Sequence, residues 1–301
     1  MQRATSPSLD DLIANEKFFN VLDHGLIRVI DYMGTDQSIV DAARISYGKG
    51  TTLKSDDKGL INYLMRHHHT TPFEMCEIKL YIKCPIFVAR QWMRHRTASI
   101  NEYSARYSEV NDDLYIPKSD HVKAQHASNR QMSGVALSDV EIDCFLDDLE
   151  SGCKRQYTDY KIALNNGNGV SRETARIGLT LNTYTEFVWK IDLHNLLHFL
   201  MLRMDLHAQY EIRVYADAIA EIIKAWCPLS YEAFEKYRLN SVTFSEYEFK
   251  EITDFLYCKG FKDYHDCNIK NMSKGENKEF KDKLKCIFNN REEDTKDLFN
   301  G

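Results

Sequence analysis

Residues 74–83 alternate apolar and polar side chains, which is the pattern of a half-buried β-strand. The apolar positions of this segment are Cys76, Ile78, Leu80 and Ile82. Segments with helical spacing of apolar residues lie on both sides of it, and further strand patterns occur at residues 25–33 and 179–191. This order of strands and helices predicts an α+β domain that combines mixed helices, some of them long, with an antiparallel sheet.

Helical patterns fill most of the remaining chain. Asp36 is placed to cap the first predicted helix, and Ser138 with Glu141 has the spacing of a capping box at the start of the longest one. Residues 108–137 are polar and irregular, which predicts a surface loop long enough to suggest a function. The predicted helices cover residues 36–47, 55–68, 85–96, 138–164, 172–177, 192–205 and 207–227.

The composition changes near residue 237, where the chain becomes rich in lysine, asparagine and glutamate. Such sequences bury too little apolar surface to offset the entropy of folding. We therefore predict a folded domain at residues 1–237 and a partly disordered extension at residues 238–301, with a weakly ordered tail at residues 271–301.

Charge and cysteine content exclude several classes of protein. The 301 residues carry a net charge of −6, which disfavours a general nucleic-acid binder. No apolar run approaches the roughly 18 residues of a membrane span, and the first residues lack the apolar core of a secretory signal. Eight cysteines without a C-x-x-C pair are typical of reduced thiols. We expect a cytoplasmic protein.

The run at residues 94–107 carries the densest functional chemistry. The tripeptide Arg-His-Arg at residues 94–96 is followed, after seven residues, by Ser104, and Arg106 adds a third guanidinium group. Guanidinium groups bind phosphate oxygens in pairs, and a loop after a predicted helix can wrap a ligand. These features predict a site for a phosphorylated small molecule. The alternative is a solvated, arginine-rich helix end that binds nothing.

Two rival functions have weaker support in the sequence. His194 and His198 stand four residues apart on a predicted helix, which is a spacing that zinc sites use. Asn195 occupies the place of the glutamate in the H-E-x-x-H pattern, so we expect no metal site. Arginine and tyrosine side chains also bind single-stranded nucleic acid by stacking, but the acidic balance of the chain disfavours that function.

Four separated stretches resemble the family of flavin-dependent thymidylate synthases. The Arg-His-Arg tripeptide, seven residues and Ser104 match the signature of that family in full. The other three stretches occur in the family's order at residues 69–74, 172–176 and 192–213. The resemblance covers about residues 25–237, and we therefore expect the domain at residues 1–237 to be a catalytic domain.

This resemblance implies an activity and a set of ligands. It implies a homotetramer whose active sites lie at subunit interfaces, with FAD held between subunits. The reaction it implies converts dUMP to dTMP, with 5,10-methylenetetrahydrofolate as the carbon donor and NADPH as the source of electrons for FAD. We accordingly expect a methyltransferase of de novo thymidylate biosynthesis whose partners are dUMP, the folate and NADPH, and neither nucleic acid nor membrane.

The resemblance also implies which residues form the site. The expected dUMP contacts are Gln91, Trp92, Met93, Arg94, Glu102, Tyr103, Ser104, Ala105, Arg106, Arg176 and Arg203. The expected FAD contacts are His69, Thr71, Arg94, His95, Arg96, Glu102, Asp192, Leu193, His194 and His198. Arg203 is the expected catalytic residue, because a guanidinium beside the uracil would stabilise negative charge on its N3–O2 edge and make C5 more nucleophilic.

Within this set, Arg106 and Arg176 are the expected phosphate contacts. Ser104 is a tempting nucleophile, but an attacking serine needs an adjacent base. His95 is the histidine nearest to it in the sequence, and the resemblance places His95 against the flavin. We therefore predict that Ser104 donates a hydrogen bond to the nucleotide.

Overall fold

A five-stranded antiparallel sheet forms the centre of the fold in the computed structural model. The structure describes residues 4–45, 56–127, 133–166, 169–258 and 272–284. The strands are β1 (Phe18–Val21), β2 (Gly25–Met33), β3 (Glu77–Pro85), β4 (Ser99–Glu102), β5 (Lys123–Gln125), β6 (Ser133–Ala136) and β7 (Tyr184–Asp192). The sheet order is β1-β2-β3-β7-β4, and β5 pairs with β6 in a separate hairpin. The predicted α+β class with an antiparallel sheet is confirmed.

Eleven helices are named in the described part of the chain. They are α1 (Pro7–Ala14), α2 (Asp36–Ile45), α3 (Asp57–Arg66), α4 (Thr71–Glu74), α5 (Ile86–Trp92), α6 (Asp139–Asn165), α7 (Arg172–Ala175), α8 (Leu193–Arg203), α9 (Tyr210–Trp226), α10 (Pro228–Phe234) and α11 (Glu246–Cys258). The first ten, α1 to α10, belong to the same compact unit as the sheet. The capping box predicted at the start of α6 is confirmed, because Ser138 and Glu141 bond to each other's backbone N–H groups. The apolar periodicity of α9 also holds, because its core face is almost fully buried.

The two central strands explain how the site is positioned. β3 and β7 pair over their full length, from Glu77 opposite Asp192 to Pro85 opposite Tyr184. Because the strands are antiparallel, α5 and α8 begin at opposite ends of this pair. The two helices meet where the ring of Trp92 lies 4.9 Å from that of Phe199, and both rings are fully buried. Burying such side chains contributes roughly 1.5–3 kcal/mol each, which fixes the end of α5 against α8.

Several predicted boundaries are wrong in informative ways. The helix predicted over residues 85–96 ends at Trp92, so the Arg-His-Arg tripeptide lies after α5. The segment that follows the tripeptide was predicted to be a loop, but it contains β4. The loop predicted at residues 108–137 contains the β5–β6 hairpin. The strand predicted from residue 179 begins at Tyr184. Sequence reasoning also missed α1, β1, α4 and α10, whose segments are too short for a clear periodicity.

Asp36 does not cap its own helix. Its carboxylate accepts hydrogen bonds from the backbone N–H groups of Leu229 and Ser230 and from the Ser230 hydroxyl, at 2.6–3.0 Å. It therefore caps α10, which lies almost 200 residues later. Burial raises the pKa of Asp36 above its usual range, against the effect of these hydrogen bonds.

The chain divides into two compact units, residues 1–240 and residues 241–301. The first contains both sheets, and the second contains α11. Residues 259–271 and 285–301 lie outside the described residues, as do residues 46–47 and 55 at the ends of two predicted helices. No helix in the described part of the chain has the length and apolar character needed to cross a bilayer.

Candidate active site

A cavity of about 560 Å³ lies beside the Arg-His-Arg tripeptide. We call it the cationic cavity. Its lining residues are Arg94, His95, Arg96, Thr97, Ile191, Asn195, His198, Leu202 and Arg203. None of these residues is acidic, and among the described residues no carboxylate forms a salt bridge with Arg94, Arg96 or Arg203. The cavity is therefore suited to an anionic ligand.

Arg203 is held in this cavity by neutral acceptors. It is the last residue of α8, and its Nε donates to His95 Nε2 at 3.0 Å. Its Nη2 lies 3.4 Å from the Gln91 carbonyl oxygen, which accepts a second hydrogen bond. These contacts fix the plane of the guanidinium without cancelling its charge, which leaves the charge available to a ligand.

The protonation state of His95 follows from this geometry. Burial, the Arg203 charge and, third, His198 lower the pKa of His95 to about 4. The imidazole is therefore neutral at pH 7, as its acceptor role toward Arg203 requires. Burial also lowers the pKa of Arg203, with a smaller contribution from the nearby Arg94 charge.

Two further cavities lie near the cationic cavity, and each shares lining residues with the next. The middle cavity, about 230 Å³, shares His198 with it and is lined mainly by apolar side chains together with His194. The histidine cavity, about 870 Å³, shares His68 and Thr70 with the middle cavity and is also lined by His69. His194 and His198 on α8, together with His69 and Thr71, thus line cavities that share lining residues.

A strained residue lies where the middle and histidine cavities meet. His68 has a φ of +60°, a left-handed conformation that non-glycine residues rarely adopt. Its Nε2 lies 3.3 Å from Arg238 Nη1. Burial, the Arg238 charge and then His67 lower the pKa of His68. The backbone turn that strains His68 brings His69 and Thr71 to the histidine cavity.

Comparisons with known proteins agree with this site. The family model for "Thymidylate synthase complementing protein" matches residues 28–229. The flavin-dependent thymidylate synthase of Ehrlichia ruminantium (strain Gardel) is 57% identical over 245 residues, which are 81% of each chain. That of Rickettsia prowazekii (strain Madrid E) is 51% identical over 286 residues, covering 91% of this chain and 96% of the relative. This chain belongs to the family of flavin-dependent thymidylate synthases.

A solved structure supports the same assignment of fold. The UMP/dUMP methylase PolB from Streptomyces cacaoi, bound with 5-Br UMP, superimposes with a TM-score of 0.65 and 28% sequence identity. The match covers 74% of this chain and 99% of the methylase. The resemblance to flavin-dependent thymidylate synthases inferred from the sequence is confirmed.

The substrate residues expected of a flavin-dependent thymidylate synthase divide into two groups in this chain. Arg94 and Arg203 line the cationic cavity. Gln91 lies beside it, where its carbonyl oxygen accepts from Arg203 and its Nε2 donates to Gln209 Oε1. Met93 is half-buried against the core.

The second group lies on β4, the turn after it and the segment that follows α7. Arg106 donates to Glu173 through Nε at 2.9 Å, and its Nη2 lies 2.8 Å from the same carboxylate oxygen. Ser104 Oγ accepts from the Arg106 backbone N–H at 3.3 Å, beside the half-buried Ala105. Arg176 is half-buried in a short 3₁₀ turn. None of these residues lines the cationic cavity.

Two other members of this group hydrogen bond within the chain. The Glu102 carboxylate accepts from the Thr185 hydroxyl at 2.7 Å. The Tyr103 hydroxyl donates to the Glu109 carbonyl oxygen. These contacts hold β4 and the turn after it against the rest of the chain.

Three predicted contact residues have structural roles in this chain. The indole of Trp92 and the side chain of Leu193 are fully buried in the core, so neither side chain faces a cavity. Asp192 caps α8, because its carboxylate accepts from the Asn195 backbone N–H at 2.9 Å and from the Asn195 side-chain amide at 2.7 Å. Burial makes the side chains of Trp92 and Leu193 inaccessible to a ligand, and the predicted ligand contacts of these two residues stay predictions.

Sequence reasoning missed part of the cavity lining. Thr97, Ile191, Asn195 and Leu202 line the cationic cavity but were not predicted to do so. Helical spacing would have identified Asn195, which lies three residues before His198 on the same face of α8. Among the described residues, no group of three His, Cys, Asp or Glu side chains could hold a metal ion.

Proposed function

We propose that this protein converts dUMP to dTMP by reductive methylation. The carbon donor is 5,10-methylenetetrahydrofolate, and FAD reduced by NADPH provides the hydride. The observation that carries this proposal is the cationic cavity. Three guanidinium groups converge there, in a chain of net charge −6, and none of them has a carboxylate partner within the described ranges. A local excess of positive charge in an acidic chain favours a specific anionic ligand.

A uridine monophosphate fits the chemistry of this cavity. Its phosphate carries a charge of about −2 and accepts paired hydrogen bonds from guanidinium groups. The relative of known structure is named a UMP/dUMP methylase, and a second structure of it contains 5-Br dUMP. We infer that Arg94 and Arg203 bind the same class of nucleotide here.

Arg203 is the proposed catalytic residue. Its guanidinium is fixed by His95 and the Gln91 carbonyl oxygen, so it needs no reorientation as the reaction proceeds. Placed at the N3–O2 edge of the uracil, it would stabilise negative charge on that edge, which makes C5 more nucleophilic. Preorganised donors of this kind contribute roughly 10²–10³-fold to turnover.

FAD is the proposed cofactor, and the described residues fit it. A pyrophosphate needs cationic donors, and an isoalloxazine ring needs an apolar wall. The cationic cavity supplies the donors, and the middle cavity supplies the wall through Leu197 and Met201. Arg96, His194 and His198, with His69 and Thr71 in the histidine cavity, would hold the cofactor. When bound, the flavin supplies the hydride.

Ser104 is proposed to bind the nucleotide. In the described part of the chain its Oγ hydrogen bonds to the Arg106 backbone N–H, and no histidine or carboxylate hydrogen bonds to it. Without a base to remove its proton, a serine hydroxyl is a weak nucleophile. A role as a hydrogen-bond donor to dUMP needs no such base.

The proposed assembly is a homotetramer with active sites shared between subunits. The proposed location is the cytoplasm. Ile177 and Leu181, next to Arg176, are 79% and 65% exposed. Large exposed apolar side chains near a functional residue favour an interface with another protein. A second subunit covering this surface would place Arg176 and Arg106 at a shared site.

Residues 1–237 are the proposed catalytic domain, and residues 238–301 are the proposed extension.

One experiment tests the proposed function. The purified full chain is incubated anaerobically with NADPH, dUMP and methylenetetrahydrofolate, and dTMP is measured by chromatography. We expect dTMP from the complete mixture and none when dUMP or the folate is omitted. The purified protein should be yellow, with a flavin absorption spectrum. A colourless, metal-containing protein that forms no dTMP would instead support the zinc site weighed for His194 and His198 from the sequence.

A further inference from the structure

A cavity outside the proposed reaction site has no assigned function. It measures about 470 Å³ and lies between the β5–β6 hairpin and the loop that joins α8 to α9. We call it the hairpin cavity. Its polar and charged lining residues include His121, Lys123, Gln125, His207, Gln209 and Arg213. The hairpin is the segment that the sequence predicted to be a functional loop.

The charges around the hairpin cavity favour an anion. Lys123 and Arg213 bring two permanent positive charges to its lining. Among the described residues, Glu211 is the one acidic residue in the lining, and its carboxylate is buried and accepts from the Tyr115 hydroxyl at 3.1 Å. Asp217 interacts with Arg213, but it does not line the cavity. Two exposed carboxylates also face lining histidines, Asp205 at 2.8 Å from His207 and Asp120 at 3.7 Å from His121, but neither lines the cavity. The accessible permanent charges in the lining itself are therefore those of Lys123 and Arg213.

Packing contacts give this cavity a defined wall. The rings of His121 and Tyr210 are stacked with centroids 3.5 Å apart, which joins the hairpin side to the first turn of α9. Arg213 lies over the Tyr210 ring and donates to the Leu206 carbonyl oxygen at 3.4 Å. Stacking and cation–π contacts of this type hold the side chains in place before a ligand arrives.

A short hydrogen-bonded path connects this cavity with the cationic cavity. Gln209, in the lining of the hairpin cavity, accepts from the Gln91 side chain at 2.5 Å. The Gln91 carbonyl oxygen accepts from Arg203, which lines the cationic cavity. The two cavities thus lie on either side of Gln91 and Gln209.

We propose that the hairpin cavity is an anion subsite for a co-substrate of the reaction. This inference rests on the proposed function. dUMP is assigned to the cationic cavity, so the anion here belongs to the reduced nicotinamide or to the folate. The two candidates share an anionic group, a phosphate or a carboxylate, on a molecule that also carries an aromatic ring system. The two sources are the 2′-phosphate of NADPH and the glutamate carboxylates of the folate.

Calorimetric titration of the full chain tests the subsite without turnover. The probes are adenosine 2′,5′-bisphosphate against 5′-AMP, and p-aminobenzoyl-triglutamate against p-aminobenzoyl-monoglutamate. We expect the more anionic member of one pair to bind more tightly. Lys123→Gln and Arg213→Gln should each raise its Kd by roughly tenfold, which is the effect of losing one hydrogen bond to a charged group. Lys154→Gln and Arg155→Gln, on the exposed surface of α6, remove the same charges and should leave the Kd of this probe unchanged.

Steady-state kinetics identifies the source of the anion. If the two cavity variants lose the preference for NADPH over NADH, the anion bound in the hairpin cavity is the 2′-phosphate of NADPH. If they lose the preference for triglutamyl folate, it is a glutamate carboxylate of the folate. The inference is overturned if neither probe pair discriminates, if the cavity and control variants behave alike, or if the KM for dUMP rises as much as that of the co-substrate. If the native chain forms no dTMP, the proposed function fails, but the titration still decides whether the subsite exists.

Discussion

The cationic cavity and the Arg106–Glu173 pair use the same kind of side chain in opposite ways. In the cavity, Arg203 is held by the His95 imidazole and a backbone carbonyl, both of them neutral. In the pair, Arg106 bonds through two nitrogens to a single Glu173 oxygen at 2.8–2.9 Å. Both members of the pair are more than half exposed, whereas Arg203 is partly buried.

This difference decides which arginine is ready for an anion. A neutral acceptor orients a guanidinium and leaves its charge intact, whereas a carboxylate cancels that charge. Arg203 can therefore bind an anion without giving up a partner. Arg106 must first lose Glu173, although an exposed pair of this kind contributes only about 0.2–1 kcal/mol. In the single chain, Arg203 is therefore ready to bind an anion. Arg106 becomes available only when a ligand or a second subunit displaces it from Glu173.

Removing the charge of Arg203 should have the largest effect. Arg203→Met keeps an apolar side chain of similar length on α8, so we expect the fold to persist. Activity, measured as kcat/KM for dTMP formation, should fall by roughly 10²–10³-fold because a preorganised cation is lost. Arg155→Met on α6 is the control and should be close to native. Activity within threefold of native in Arg203→Met would remove Arg203 from the catalytic role.

Replacing His95 tests whether a neutral acceptor is what holds Arg203. In His95→Leu the acceptor is lost, and kcat should fall by roughly tenfold or more, the effect of one hydrogen bond to a charged group. In His95→Gln the side-chain oxygen can accept in place of Nε2, so most of the activity should return. Equal losses in the two variants would show that His95 acts in another way.

The stability of the protein should also depend on His95 protonation. The pKa of His95 is about 4 in the folded chain and near 6.5 when unfolded, so between these values the unfolded state binds more protons. The free energy of unfolding should fall as the pH falls from about 6.5 to about 4. Urea unfolding across this range measures it. The free energy of unfolding should fall more for the native protein than for His95→Gln over this pH range. Parallel plots of that free energy against pH would contradict the pKa of about 4 for His95.

Removing the carboxylate partner of Arg106 should have the smallest effect. Glu173→Gln frees the Arg106 charge, so the Kd for dUMP should fall, by up to about fivefold for a pair of this strength. Glu150→Gln, which removes a carboxylate from an exposed pair with Lys154 on α6, is the matched control. Weaker dUMP binding in Glu173→Gln would mean that Glu173 supports the site in its present geometry.

The sequence predicted the parts of the fold that follow one clear periodicity. β2 matches its predicted range, and β3 and the starts of α6 and α8 lie within three residues of prediction, because alternation and capping are local signals. β4 was missed because its pairing with β7 depends on residues far along the chain. Asp36 was assigned to the nearest helix, although its backbone partners lie at Leu229 and Ser230.

The site shows the same division between local and distant information. The resemblance identified Arg94, His95, Arg96 and Arg203 as site residues, and the structure brings these four together. It also named Trp92 and Leu193, which are fully buried, because a motif gives positions in the chain and not the direction of a side chain. Pairing of Arg106 with Glu173 could not be predicted, since it joins segments 67 residues apart.

The location of bound nucleotide tests the central claim most directly. A crystal structure of the full chain with FAD and 5-bromo-dUMP would place C5 of the pyrimidine through the anomalous signal of bromine. The account predicts a bromine peak in the cationic cavity, with Arg203 in contact with the uracil and still bonded to His95. A peak elsewhere in the molecule, with Arg203 bonded only to His95 and the Gln91 carbonyl oxygen, would contradict it.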